Sequence, residues 1–438
     1  MDMDINMRFL AILFLGWIQT AQAIPDIQHW QTEQGAKVYF ISTMELPIVD
    51  IQIAFDAGSV RDGEKLGLAS LTTSLLNEGA GGLTAEQLAE TFDNVGAQCS
   101  QSASKEMATL QLRSLADKNL FEPAFENLLT ILKKPDFPEK PLERVRNQML
   151  QSLASQKQSP SSLLSKAFQE TLYGQHPYAF QTSGTEESLL KLTREEVIAF
   201  YNKHYVAKNA IISLVGALSR EEAEQIVMRI LKDLPIGETL PPIPPAPETP
   251  KLAPIHIEYP SEQTHISLGQ IGYARNDPDY FPMFIANYVL GGGGLVSRLS
   301  AEVREKRGLV YSIYSSVSPM LQAGTISAHL QTRQENAQSA IELVRKLIST
   351  FVEQGITEKE LLDAKKYSTG NFALRVDSNG KLLSYLTTIG FYHLPLDYMQ
   401  TWTSKVEAVT LEQVNAAIKR HIQPEKMVLI TVGKNNPQ

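Results

Sequence analysis

The chain has 438 residues, 43% of them hydrophobic, with 40 basic against 48 acidic side chains and a formal net charge of −8 at pH 7. A prior of about one domain per 150 residues asks for two or three domains, and the absence of any basic excess excludes nucleic acid as a partner, since nothing neutralises phosphates. Cys99 is the only cysteine, so no intrachain disulfide forms and stability must come from packed cores.

In chain order, Arg8 precedes an apolar run over 9–18, and Ala21-Gln22-Ala23 has the small-x-small form of a signal peptidase site. Residues 1–23 are therefore expected to be a signal peptide, with Met7 an alternative start and Ile24 the first mature residue. The apolar run is shorter than the roughly 20 residues a spanning helix needs, so no stable membrane anchor is expected. The location expected for the chain is secreted and periplasmic. The first unit, 24–237, alternates apolar and polar residues over 49–55 and 107–112, as half-buried strands do. Helical periodicity covers 85–94, 142–156 and 194–203, with Thr193 the N-cap of the last. Residues 238–254 lie in a run, GETLPPIPPAPETPKLAP, whose prolines remove donors and fix φ, and they read as an extended linker. The second unit, 255–438, shows strand patterns at 266–273 and 325–330. Its helical patterns lie at 297–306, 337–352 and 411–419, the last capped by Thr410.

The two units share more than composition. Thr193, Glu195, Val197, His204 and Gly216 recur as Thr410, Glu412, Val414, His421 and Gly433, each 217 positions later. Gly81, Gly82, Leu83, Ala89, Glu90 and Gly96 recur as Gly293, Gly294, Leu295, Ala301, Glu302 and Gly308 at an offset of 212. Two ordered matches of this kind imply a duplicated unit of about 200 residues, within the normal size of one domain. The fold class expected is α+β: two homologous domains, each a β-sheet with helices packed on one face.

Three strings carry a family likeness across the mature chain: LPIVDIQIAFDAGS from Leu46 with Gly67-Leu68-Ala69 following, His176-Pro177-Tyr178, and LSAEVREKRGLVYS from Leu299. They resemble the pitrilysin or insulinase-like zinc metallopeptidases, most closely the mitochondrial processing peptidase type and its bacterial relatives. The resemblance implies that such halves enclose a substrate chamber. It also implies a helix with H-x-x-E-H, whose histidines and a distal glutamate hold zinc while the motif glutamate activates water. Here Ser70 and Ser74 stand in place of the histidines and Thr73 in place of the glutamate, while the distal position falls at Gln151 or Ser152. Every member of the site is replaced, so no metal is expected in this chain. No two of its eight histidines have i, i+4 spacing, and no G-x-S-x-G elbow supports a serine hydrolase.

The second unit keeps what the first has lost. Active relatives use an Arg and a Tyr spaced R-x6-Y, and Arg304 and Tyr311 have that spacing. The resemblance gives them a catalytic, assisting role, since a guanidinium can hold a substrate carbonyl and a phenol can donate to a forming oxyanion. An isolated R-x6-Y reads otherwise, as a solvated helix residue and a strand residue half in the core. Alternation would put Tyr314 on the strand face opposite Tyr311. Gly291, Gly292, Gly293 and Gly294 lack the Lys of a phosphate loop. They read as a flexible loop where backbone approaches an extended peptide, or as a helix C-cap.

The expectation is a zinc-free subunit that closes the chamber of a heteromeric peptidase. It would lend Arg304 and Tyr311 to an H-x-x-E-H partner that holds the zinc and cleaves peptides. The alternative is a non-enzymatic homodimer that binds peptides or serves as a scaffold.

Overall fold

A computed structural model describes residues 25–437, so the expected signal peptide lies outside the described residues. The first half contains β1 (Gln28–Gln31), β2 (Lys37–Ser42), β3 (Ile48–Phe55), a small ribbon of β4 (Gly79–Ala80) and β5 (Leu83–Thr84), β6 (Gln98–Ala103), β7 (Ala108–Leu115) and β8 (Ala210–Gly216). The second contains β9 (Ile255–Glu258), β10 (Gln263–Ile271), β11 (Ser312–Ser318), β12 (Thr325–Arg333) and β13 (Val428–Gly433). One sheet runs β1-β2-β8-β3-β7-β6 and the other β11-β12-β10-β13-β9. Taken from its other edge, the second order repeats β2-β8-β3-β7-β6 strand for strand. The parallel pairs correspond as well, β2 with β8 and β9 with β13. The duplication seen in the sequence is thus a duplication of topology.

All four strand patterns and five of the six helical ones appear as expected, with ends shifted by a few residues. Thr193 and Thr410 cap their helices, each accepting from a backbone N–H three residues on while a Glu or Gln side chain reaches back. The sixth pattern, 297–306, forms only a wide π-helical turn, Ser300–Glu305.

Burial on both faces explains the apolar runs of β8 and β13. The AIISLVG of β8 is buried at every position, which a sheet open to water on one side does not require. One face of the first sheet, with Val38, Phe40, Ile51, Ile53, Ile212 and Leu214, packs on helices of its own half. The other face, with Tyr39, Ile41, Ile211 and Val215, belongs to a core shared with Leu382, Leu383, Leu386 and Ile389 of the second half's Asn379–Phe391 helix. Gly390 lets that helix approach, because a Cβ there would lie 2.6 Å from the Tyr39 ring and 2.7 Å from Ile211. Polar groups are matched too: Gln52 Nε2 donates to Thr387 Oγ1 at 2.9 Å, and Thr387 lies 3.0 Å from Ser213 Oγ.

The converse holds for the second sheet. Phe168 and Leu172, on the first half's Pro160–Tyr173 helix, share a core with Ile271, Val428, Ile430 and Val432. Each sheet therefore has its own helices on one face and a helix of the other half on the second.

The proline-rich segment is extended, as expected, but it is fastened along its length. Ile243 is buried in the inter-half core and its carbonyl accepts from Gln322 Nε2 at 3.1 Å. The Pro241 carbonyl accepts from Arg61 at 2.7 Å and Pro244 O lies 2.9 Å from His176 Nε2. Glu106, buried at the same junction, accepts from Leu321 N at 2.9 Å, from Tyr392 Oη at 2.8 Å and from the Tyr178 hydroxyl.

Candidate functional site

The Leu68–Leu75 helix, which carries Ser70, Thr73 and Ser74, the residues expected to stand in place of a zinc motif, begins at Gly67, whose φ of 92° suits glycine. Asp62 caps it, accepting from Gly67 N at 2.7 Å and Ala69 N at 2.8 Å. Burial raises the Asp62 pKa to about 7, outweighing those two hydrogen bonds. A carboxyl held above its unfolded value of 3.8 stabilises the fold fully in acid and loses that contribution as pH rises toward 7. Stability in urea should therefore fall between pH 4 and 7, by up to about 4 kcal/mol from this group. Asp62→Asn should flatten that slope; an unchanged slope in the variant would show that Asp62 is not its source.

Thr73, expected to stand in the position of the motif glutamate, is buried. Its hydroxyl donates to Ala69 O at 2.7 Å and lies 2.8 Å from Tyr205 Oη, which leaves it committed to the core. Ser70 and Ser74 are half-buried on the same helix. Gln151 and Ser152 are exposed on the Glu139–Gln156 helix packed beside it. Ser70 lines a cleft of about 490 Å³ with Lys105, Gln156, Gln169, Gln181 and three hydroxyl side chains. No imidazole, thiol or carboxylate lines that cleft. Neutral hydroxyls are poor zinc ligands and none of these groups can act as a carboxylate base, so the residues do not fit a catalytic zinc.

Among the described residues, three potential ligands converge only at Asp277, Asp279 and His421, in the second half. One oxygen of each carboxylate and the His421 Nε2 already have partners within the protein. His421 Nε2 lies 2.8 Å from Asp279 Oδ2, which also accepts from Arg420, while Asp277 Oδ1 accepts from Asp279 N at 2.8 Å. That set ties the helix ending at His421 to the loop that leads into the Tyr280–Asn287 helix. Its repeat counterpart, His204, is buried against Phe200 and held by burial at a pKa of about 4, hence neutral.

The structure brings Arg304 and Tyr311 together. Arg304 leaves the π-helical turn with its Cζ 5.7 Å from the centre of the Tyr311 ring, and its nearest acid is Glu305 at 3.5 Å. Tyr311 is 75% exposed and precedes β11 rather than lying in it. The reading of Tyr311 as a strand residue half in the core is corrected by that exposure. The alternation argument does not apply to it, and Tyr314 is exposed as well, tilted over His329.

Gly291 to Gly294 are not a flexible loop. Gly291 and Gly292 close a π-helical turn, Tyr288–Gly292, and a Cβ at Gly291 would lie 2.4 Å from Ser315 N on β11. At Gly292 and Gly293 it would meet Asn287 Nδ2 at 2.6 Å and Tyr288 O at 2.7 Å. Gly294, with φ of 64°, has open space beside it. The helix-end reading fits this packing, and Leu295 and Val296 follow, both exposed.

Among the described residues no hydrogen bond, ion pair or ring contact joins this pair to the Ser70 cleft. Lys105 and Gln169 were not singled out in the sequence, where each is one polar residue among many.

A family model described as insulinase, peptidase family M16, matches residues 37–186, and one described as peptidase M16 inactive domain matches 191–367. A Helicobacter pylori protein named non-peptidase homolog YmxG is 30% identical over 97% of this chain and 98% of its own. A Bacillus subtilis protein named uncharacterized zinc protease YmxG is 24% identical over 94% of this chain and all of its own. The crystal structure of a peptidase M16 inactive domain from Pseudomonas fluorescens superposes with a TM-score of 0.91 at 40% identity, covering 94% of this chain and 99% of that one.

Proposed function

This chain belongs to peptidase family M16, the insulinase family, and from that premise we propose that it is the zinc-free subunit of a two-chain peptidase. It closes the substrate chamber of a homologous H-x-x-E-H chain and presents Arg304 and Tyr311 to that partner's zinc site. The observation that carries this reading is the pair itself: a half-buried guanidinium on a π-helical turn facing an exposed phenol seven residues on, in a chain whose own Ser70 cleft lacks every zinc ligand. Core packing does not require a guanidinium and an exposed phenol at that spacing. The relative named non-peptidase homolog is consistent with a chain that does not cleave alone. The proposed setting is the periplasm, following the sequence at 1–23.

The test is peptide hydrolysis and zinc content of the purified chain, of the H-x-x-E-H homologue from the same source, and of the mixture. Chelator-sensitive activity that appears only in the mixture is the expected result. No complex and no added activity would instead favour a homodimeric, non-enzymatic peptide-binding scaffold.

A further inference from the structure

The cleft beside Ser70 has a chemistry of its own. Among the described residues, Lys105 is the only charged one that lines it. Its ammonium donates to the carbonyls of Tyr178 at 2.8 Å and Phe180 at 2.9 Å, and among the described residues it forms no ion pair, although Glu106 lies near enough to pull on its charge. A lysine nitrogen has three donors, so one remains for a ligand. Gln169, another wall of the cleft, has a buried Oε1 without a hydrogen-bond partner among the described residues. A buried acceptor left unpaired is unfavourable, and turning the Gln169 amide into the cleft would let a ligand N–H relieve it. A second cavity of about 590 Å³ adjoins, since Gln156 and Gln181 line both, and Leu153, Leu163 and Leu190 make its surface largely apolar.

A cation, a free acceptor and an apolar recess together describe one kind of ligand. We propose that this cleft captures the carboxyl end of a peptide: the terminal carboxylate on Lys105 Nζ, the last N–H on Gln169 Oε1, and an apolar terminal side chain in the recess beside Leu153 and Leu190. This inference rests on the reading that the protein handles peptides, and it gives the replaced zinc cleft a binding role without catalysis.

The proposal is tested on the mature chain alone, without a partner and without hydrolysis, so a failed reconstitution in the mixture leaves it standing and its own failure leaves the two-chain reading standing. The probe is a fluorescein-labelled decapeptide ending in leucine, compared with the same peptide amidated. The free acid should bind on the order of tenfold tighter, as expected for one charge-assisted contact. Lys105→Met should abolish the difference, and Lys105→Arg should retain it. Gln169→Ala should weaken both probes. Because Lys105 also holds the 178–180 turn, a pH series on the unaltered protein gives a second reading. Burial lowers the Lys105 pKa to about 8 against the pull of neighbouring Glu106, so the preference should disappear as pH passes about 8. Equal binding of acid and amide, binding of neither, or a preference that survives either Lys105→Met or pH 9.5 would overturn it.

Discussion

Two fragments made by cutting inside 238–254 should aggregate when produced separately and should regain native near-UV circular dichroism only when refolded together. Each sheet depends on a helix from the other half. Without the second fragment, the first sheet exposes Tyr39, Ile41, Ile211 and Val215, which are buried with Leu382, Leu383, Leu386 and Ile389 in the intact chain. At roughly 1.5–3 kcal/mol for each large apolar side chain, even a few such losses approach the whole stability of a domain, about 5–15 kcal/mol. The second fragment is no better placed, because Val428, Ile430 and Val432 lose Phe168 and Leu172. Exposed apolar faces of that size lead to association. Size-exclusion chromatography of each fragment decides the matter: a monomeric fragment with sharp near-UV bands would mean that the exchanged helices are dispensable.

In the active mixture, Tyr311→Phe should lower kcat by about 10²- to 10³-fold, the usual effect of removing one donor to a forming oxyanion. Phenylalanine keeps the ring that the Arg304 guanidinium faces at 5.7 Å, so the change removes the hydroxyl and little else. Arg304→Ala should reduce kcat/KM by a comparable factor, and Arg304→Lys should not rescue it, because an ammonium does not reproduce the planar fork. Tyr311 is largely exposed and Arg304 half-buried without a place in the core, so denaturant stability should change by less than about 0.5 kcal/mol for Tyr311→Phe and by no more than about 1 kcal/mol for Arg304→Ala. Tyr314→Phe is the control and should leave the rate unchanged. Full activity of the Tyr311→Phe mixture would remove the assisting role from this chain.

The duplication was legible because capping threonines and turn glycines are local signals that recur in the same order at two nearly equal offsets, 217 and 212. Thr193 and Thr410 announce their helices through the residues that follow them. The exchange of helices was not legible. The Pro160–Tyr173 and Asn379–Phe391 segments show which residues are apolar but not which sheet they will cover, and Gly390 marks the close approach only once Tyr39 is in place. The 297–306 pattern misled because an i to i+5 turn keeps apolar residues near a helical spacing; the bond from Lys306 N to Ala301 O at 3.0 Å shows the wider ring. Tyr311 was misplaced because β11 starts one residue later. The lack of ligand side chains around Ser70, Thr73 and Ser74 is visible in the sequence, whereas the placing of Lys105 and Gln169 in one cleft appears only in three dimensions.

The shared faces also set an order of events during synthesis. A ribosome adding about 5–20 residues each second completes β8 at Gly216 well before Asn379–Phe391 exists. For that interval the nascent first sheet has one finished side and one greasy side. If the chain is exported, holding it unfolded until its last helices are made avoids that half-covered intermediate altogether.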